Sequence, residues 1–247
     1  MSAPSRSKEA SGLRILAFES SAKAASVAIL QDGALLGEYF QNSGQTHSRT
    51  LAKMAEDLLA NCDLTVADID AVAVAAGPGS FTGVRIGVAA AKGLAWARQL
   101  PCYGVSTLEA MVRGAAMCDG VYCACMDARR AQVYNAVFSV EDGKLLRLSE
   151  DRAISIEELG AELKNLEKAI FLVGDGAELC YNTLRVSIPA LCLLPEHLRG
   201  QRASGTALAA QAKIDAGEPG SGLELIPSYL RLSQAERTRI EKENMGK

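Results

Sequence analysis

The sequence is short of the residues that polar catalysis most often uses. Only two of its 247 residues are histidines, His47 and His197, and they lie far apart without the spacing of metal ligands. Aromatic residues make up 5% of the chain, and its apolar runs are too short to cross a bilayer. We therefore expect neither a histidine metal site made by this chain alone nor a membrane-spanning helix.

A dominant charge is also missing. There are 26 Lys and Arg residues against 29 Asp and Glu residues, a formal charge of −3, so the composition argues against a protein that binds nucleic acid on its own. The seven cysteines are an odd number without paired spacing, which indicates free thiols in a reducing compartment. Residues 1–12 lack the apolar segment of a secretion signal. These features predict a cytoplasmic protein that begins with a disordered extension over 1–12.

What the sequence does contain is α/β patterning, given twice in a similar order. In the first unit, strands are predicted over 14–19, 25–30, 34–40, 70–76 and 102–105, and helices over 47–62, 80–98 and 107–118. In the second unit, strands are predicted over 121–126, 131–140, 144–148 and 169–173, and helices near 156–166 and 206–216. Each unit opens with antiparallel strands, and a boundary between the units falls near residues 106–112.

A glycine-rich turn, GPGSFTG at residues 77–83, follows one of these strands. It is not a P-loop, because Thr82 is the residue five positions after Gly77 and no lysine follows it. It is not a dinucleotide-binding fingerprint either, because Gly83 comes one residue late. Two interpretations stay open: an anion site at a helix N-terminus, and a tight turn in which glycine supplies backbone angles that other residues avoid.

The helix behind this turn carries small residues in a row. Gly83, Gly87 and Ala91 are four residues apart, with Ala90 beside them, and a glycine inside a helix costs about 1 kcal/mol relative to alanine. A ridge of small side chains lets another backbone approach closely, and that partner is either another part of this chain or another subunit. Arg85 is an awkward core residue, which favours a surface or an interface.

Three further groups of residues are candidates for binding. Glu19 and Ser20 end the first strand, where they face either a nucleotide or solvent. A second strand-to-helix turn, GDG at 174–176, repeats the order of the first glycine turn. The sequence DARR at 127–130 ends another strand, and it either binds an anion or forms a turn salt bridge, which is the commoner case.

Four segments in combination resemble one family. They are ILAFESS at residues 15–21, AGPGSFTGVRIG at 76–87, MDARR at 126–130 and YLR at 229–231. The sequence closely resembles the TsaB (YeaZ) family, bacterial subunits for tRNA threonylcarbamoyladenosine biosynthesis, over residues 13–231. One departure is that the first strand ends in Glu19-Ser20, where many members of the family have Asp-Thr.

The resemblance implies the two-lobed fold of actin, Hsp70 and the sugar kinases, an α/β fold in which each lobe is a mixed sheet with flanking helices. It implies an N-terminal lobe over 13–108 that dimerises, a C-terminal lobe over 109–231 and a polar tail over 232–247. The catalytic relative TsaD binds its metal through a His-x-x-x-His pair, and the corresponding positions here are Thr107 and Met111. Neither side chain replaces a neutral imidazole, so we expect no catalytic residue and no metal ligand.

The resemblance further implies a non-catalytic subunit that binds and activates TsaD and works with the ATPase TsaE. Their complex transfers a threonylcarbamoyl group to the adenosine beside the anticodon of tRNAs that read codons starting with A. Without TsaD the resemblance implies a homodimer, and it implies tRNA contact only through the complex. We expect no intrinsic cofactor, with weak ATP or ADP binding as the one candidate.

Two sets of site residues follow. The candidate partner interface comprises Gly83, Arg85, Gly87, Ala90 and Ala91. The candidate nucleotide-binding residues are Glu19, Ser20, Gly77, Gly79, Gly174, Asp175 and Gly176. Two other functions stay open: a small-molecule kinase of the same fold that would use these residues for ATP, and a metalloprotease, which follows older labels of relatives.

Overall fold

A computed structural model describes residues 12–231 of the chain. The predicted polar tail over 232–247 lies outside the described residues, as does the predicted extension apart from Gly12. Within the described range the chain forms two β-sheets with helices packed against them. No helix in this range is both long enough and apolar enough to cross a membrane.

The first sheet is built around two strands with almost no exposed surface. Its strands are β1 (Arg14–Glu19), β2 (Ala25–Gln31), β3 (Ala34–Gln41), β4 (Ala71–Gly77) and β5 (Cys102–Ser106). They lie in the order β3-β2-β1-β4-β5, with β1 antiparallel to β2 and parallel to β4. Because both faces of its centre are covered, β1 and β4 are nearly continuous apolar runs. Two helices, α1 (His47–Asn61) and α2 (Phe81–Arg98), cover one face, and α3 (Thr107–Ala115) follows β5.

The second sheet repeats this order. Its strands are β6 (Gly120–Asp127), β7 (Gln132–Glu141), β8 (Lys144–Arg147), β9 (Arg152–Ser155), β10 (Ile170–Val173) and β11 (Leu191–Leu193). The order β11-β10-β6-β7-β8 places β6 where β1 lies in the first sheet, with antiparallel partners on one side and parallel partners on the other. The helices of this lobe are α4 (Ile156–Leu163), α5 (Ala177–Leu184) and α6 (Glu196–Arg199). The prediction of two units with a similar order of elements is confirmed.

The helices α3 and α7 (Ala203–Asp215) are exchanged between the lobes. Leu108 and Met111 of α3 pack in a core cluster with β6 and β7 of the second sheet. Ala207 of α7 packs in a cluster with β1 and β2 of the first sheet. The two helices also lie against each other, because Gly205 has no Cβ to collide with the carbonyl oxygen of Ala110. This exchange joins the two lobes into one molecule.

Residues 221–228, which follow α7, bond to strands of the first lobe. The N–H of Ser221 donates to the carbonyl of Cys102 over 2.8 Å, and the N–H of Ser228 donates to the carbonyl of Ala76 over 2.7 Å. The predicted C-terminal lobe over 109–231 includes α7 and residues 221–228, which pack on the first sheet. We call residues 225–231 the C-terminal strap.

Most predicted elements are present in the structure, with shifts of a few residues at their ends. The sequence pattern does not predict β9, β11 or α6, because three or four residues are too few to form a periodic pattern. The seven cysteines are free thiols, as predicted.

Two glycines of α2 bring this helix against the turn that follows β1. A Cβ atom on Gly83 would collide with the carbonyl oxygen of Ser20, and one on Gly87 would collide with the Ser20 hydroxyl. Ala91, on the same face, is fully buried. For these three residues the close partner is therefore internal, one of the two possibilities that the sequence leaves open. A Cβ on Gly93 would instead meet open space.

Gly87→Ala is expected to destabilise the protein by about 1–2 kcal/mol, because the overpacking strain exceeds the gain in helix propensity. Gly93→Ala gains the propensity without a collision and should stabilise the protein by about 1 kcal/mol. Equilibrium urea unfolding followed by circular dichroism measures both changes. Equal effects of the two substitutions would contradict the tight contact between Gly87 and Ser20.

Candidate functional site

The glycine turn between β4 and α2 is packed against the protein's own backbone. Gly77 has a φ of 120°, a conformation that favours glycine, and a Cβ there would collide with the carbonyl oxygen of Ser228 in the strap. A Cβ on Gly79 would collide with the carbonyl oxygen of Ser21. Together with the two inward-facing glycines of α2, all four glycines of this motif serve close contacts inside the chain. The tight-turn interpretation accounts for them.

Two N–H groups of this turn and helix start, those of Ser80 and Gly83, are used inside the protein. The N–H of Ser80 donates to the carbonyl of Ser21 over 2.6 Å. Ser80 is the N-cap of α2, and its hydroxyl accepts a hydrogen bond from the N–H of Gly83 over 3.3 Å. An anion bound to the N–H groups of Ser80 and Gly83 would have to displace these bonds, so these two residues favour the tight-turn interpretation.

The second glycine turn, between β10 and α5, is packed in the same way. Gly174 has a φ of 107°, and a Cβ there would collide with the carbonyl oxygen of Cys125. The N–H of Gly176 donates to that same carbonyl over 3.0 Å. Asp175 between them is exposed, and one of its oxygens accepts a hydrogen bond from Gln201 over 2.8 Å.

Glu19 and Ser20 lie beneath the surface. Glu19 is fully buried, and its Oε1 accepts a hydrogen bond from the N–H of Ser21 over 2.6 Å. Its other oxygen has no hydrogen-bond partner among the described residues. The hydroxyl of Ser20 donates to the carbonyl of Gly83 over 2.9 Å. Both side chains are therefore occupied in holding the turn after β1, and neither faces solvent.

A polar cleft of about 490 Å³ lies between the two lobes. Charged side chains line it from both sides and from the strap: Lys23, Asp127, Arg129, Asp175 and Arg231. The structure brings the two predicted glycine turns to this cleft, but of the seven predicted nucleotide-binding residues only Gly79 and Asp175 line it. The other five are buried behind its walls.

The DARR segment forms a turn at the edge of this cleft. Three consecutive residues, Arg129, Arg130 and Ala131, have φ between 55° and 66°, a left-handed conformation that costs about 1 kcal/mol per residue. The carboxylate of Asp127 supports it: one oxygen accepts the N–H of Arg129 over 2.7 Å, and the other lies 3.2 Å from the Arg129 guanidinium. The turn salt bridge that the sequence allows is present.

Arg85 is exposed on α2, but it serves a contact within the chain. Its guanidinium carbon lies 3.7 Å from the ring centre of Phe81, and its Nε donates to the hydroxyl of Tyr229 over 2.7 Å. Of the predicted interface residues, three face inward, Arg85 holds the strap, and Ala90 lines the surface described next.

An apolar groove of about 720 Å³ runs between α1 and α2 on the outer face of the first lobe. Residues of α2 that line it are Ala89, Ala90, Gly93, Leu94 and Ala97, and residues of α1 are Ala52, Ala55, Glu56, Leu59 and Ala60. Its floor includes Leu16 and Phe18 of β1. Glu56 is the only charged residue lining it among those described, and its carboxylate pairs with Lys53 over 3.1 Å. Such a surface fits an apolar partner.

This groove was not predicted from the sequence, although the spacing of small residues on α2 indicates it. Ala89, Gly93 and Ala97 form a second row of small residues, four apart, on α2. They point away from the row that packs on Ser20, so one helix has two small-residue faces. Sequence spacing gives the faces but not which of them is turned outward.

The two positions that correspond to metal ligands in the catalytic relative are buried. Thr107 is fully buried and Met111 is 3% exposed. The methyl carbon of Met111 would lie 3.2 Å from a Cβ on Gly174, so the thioether fills the space beside the second glycine turn. Among residues 12–231, no three His, Cys, Asp or Glu side chains are grouped as metal ligands.

Comparison with known proteins agrees with this architecture. The family model for TsaD, tRNA N6-adenosine threonylcarbamoyltransferase, matches residues 38–236. The chain is 30% identical to the tRNA threonylcarbamoyladenosine biosynthesis protein TsaB of Bacillus subtilis, covering 94% of this chain and 100% of that protein. It is 36% identical to TsaB of Escherichia coli over 66% of this chain and 72% of that protein. The solved structure of YeaZ from Pseudomonas aeruginosa has a TM-score of 0.72 at 25% identity, covering 88% of this chain and all of that one.

The described residues thus form the two-lobed α/β fold that the resemblance implies, with two mixed sheets, flanking helices, a cleft between the lobes and a groove between two helices. The chain belongs to the TsaB (YeaZ) family.

A pH dependence follows from the burial of Glu19, which raises the pKa of its carboxyl above the ordinary value of 4.5. The folded protein keeps this proton to higher pH than the unfolded chain does. The stability contributed by the group is therefore complete below pH 4.5 and is lost as the pH rises through the folded-state pKa.

Glu19→Gln keeps an acceptor for the N–H of Ser21 but cannot ionise. We expect the variant to melt close to the native protein at pH 4.5 and above it at pH 8, as measured by differential scanning calorimetry. A melting difference that does not change between the two pH values would contradict this account of Glu19.

Proposed function

We propose that this chain is a non-catalytic subunit in the biosynthesis of threonylcarbamoyladenosine in tRNA. The names of its relatives support a role in that pathway. The observation that carries the finer proposal is the apolar groove between α1 and α2, found together with glycine turns that pack against the chain's own backbone. The groove supplies an apolar surface for a partner protein. The glycine turns at the cleft contact the chain's own backbone, so they are not arranged around a ligand.

The absence of a catalytic role is supported by the residues at the junction of the lobes. Thr107 and Met111 hold the positions of the imidazoles expected in the catalytic relative, and both are packed in the core. His47 is at the start of α1, where its Nε2 lies 2.8 Å from the carbonyl oxygen of Ala22. His197 is on α6. Neither histidine lines the cleft.

The proposed partner is a transferase of the TsaD type. A family model of that transferase matches most of this chain, so the partner is expected to have the same fold and to offer an equivalent pair of helices. Two apolar helix pairs of this kind would bury each other's surface and exclude water. In the absence of the transferase the same groove would support a homodimer. The ATPase TsaE completes the proposed assembly.

Contact with tRNA is assigned to the complex, because a chain with a formal charge of −3 supplies little of the phosphate attraction that dominates nucleic-acid binding. No cofactor of its own is proposed for this subunit. No observation favours the small-molecule kinase alternative, since Glu19 and Ser20 are buried and the N–H groups of Ser80 and Gly176 are bonded within the chain.

Reconstitution tests the proposed role directly. Purified chain mixed with the TsaD transferase and TsaE of the same organism, with tRNA, ATP and the threonylcarbamoyl donor, should give modified adenosine, detected by mass spectrometry of digested tRNA. The transferase without this chain should give little product. Equal product in both mixtures would reject the proposed role, and turnover by this chain alone would reject the non-catalytic assignment.

The docking surface is tested by Gly93→Arg, which places a charge in the apolar groove at a position where a side chain has space to point outward. Binding to the transferase, measured by isothermal titration calorimetry, should weaken at least about tenfold because the charge must be desolvated. The control is Leu179→Arg, the same charge on an exposed apolar position of α5 in the second lobe. Unchanged binding by a folded Gly93→Arg protein would place the interface elsewhere.

A further inference from the structure

The C-terminal strap is held along the first lobe by backbone contacts. The N–H of Ser228 donates to the carbonyl at the end of β4, from Ala76, over 2.7 Å. The Ser228 carbonyl lies directly over Gly77, where any other residue would collide with it. One end of the strap is fixed by Leu225, which is buried and whose carbonyl accepts a hydrogen bond from Lys92 over 2.9 Å. The strap thus covers the glycine turn at the wall of the cleft.

Tyr229, the next residue of the strap, is held by an exposed contact with Phe81 and Arg85, which we call the aromatic clasp. The rings of Tyr229 and Phe81 stack with their centres 4.7 Å apart, and Arg85 bridges them by lying over Phe81 and donating to the Tyr229 hydroxyl. Tyr229 is 41% exposed. Stacking and cation–π contacts at such exposed positions are modest in strength, so this clasp opens more easily than the lobe unfolds.

The last described residue of the strap crosses to the other lobe. Arg231 donates through Nη1 to the carbonyl of Ala128 over 2.5 Å. Ala128 begins the left-handed turn at the end of β6, and its own N–H donates to the carbonyl of Gln132 over 3.0 Å. Seven consecutive residues therefore connect α2 and β4 of the first lobe to the cleft edge of the second lobe.

We propose that the C-terminal strap is a latch between the lobes: when it is seated on Gly77 and Tyr229 is clasped, Arg231 ties the edge of the second lobe to the first lobe across the cleft. When the clasp opens, the glycine turn is uncovered and the edge of the second lobe is released. The width of the cleft then depends on the seated strap as well as on the packing of the two lobes. This inference does not depend on the proposed partner.

Hydrogen exchange on the full chain, read by mass spectrometry with residue resolution, tests the latch. Tyr229→Ala should speed exchange of the Ser228 amide at least about tenfold, and should also speed exchange of the Ala128 amide on the other lobe, because local opening governs exchange. Tyr229→Phe keeps the stacking and loses the Arg85 hydrogen bond, so it should give a smaller increase.

Arg231→Met tests whether the strap connects the two lobes or is attached only to the first lobe. It leaves the clasp and the Ser228 hydrogen bond in place, so only the second-lobe amide should exchange faster. Arg185→Met is the control, since Arg185 lies over Tyr181 on α5 away from the cleft. The proposal is overturned if the Ser228 amide exchanges unchanged in Tyr229→Ala, or if the Ala128 amide is unaffected in both Tyr229→Ala and Arg231→Met. Circular dichroism melting verifies that each variant is folded.

Discussion

The close approach of backbone segments at the glycine motif of residues 76–87 is the contact on which the rest of the first lobe depends. Four glycines there each face a polar atom of Ser20, Ser21 or Ser228 at a distance that no Cβ would permit. These contacts set the depth at which α2 sits on the sheet, the course of the turn after β1 and the seat of the strap. Dense packing of this kind transmits even a methyl-sized change to the neighbours.

The position of α2 in turn decides what the molecule presents to its surroundings. The inward row, which includes Gly83 and Gly87, lets the helix pack closely against Ser20. The outward row of Ala89, Gly93 and Ala97 forms one wall of the apolar groove. A motif that looks like ligand-binding machinery is used for internal packing, and the surface it creates on the far side of the same helix is the one suited to a partner. Internal packing and the proposed partner surface therefore lie on two faces of the same helix.

The two lobes share an order of strands but differ in how they are joined to the rest of the chain. The exchange of α3 and α7 means that each sheet is covered by a helix from the other half of the sequence. The residues at the junction, Glu19 and Thr107 among them, are buried polar groups with an oxygen that lacks a hydrogen-bond partner within the described part of the chain. Burial of such groups is costly, so these residues reduce the stability that packing gains at the junction.

The sequence by itself determined the elements that repeat over many residues and the family to which the chain belongs. Long periodic segments such as those of α1, α2 and β4 are encoded locally, because burial of one face requires a regular spacing of apolar residues. For Gly77, Gly79, Gly83 and Gly87 the sequence left both close packing and a binding role possible. The tertiary structure alone decided what lies opposite each of them, which row of α2 faces outward, and on which sheet the alanine-rich α7 packs. These outcomes depend on contacts between residues far apart in the chain, such as Gly77 with Ser228. The local sequence pattern around either residue does not specify which distant residue it contacts.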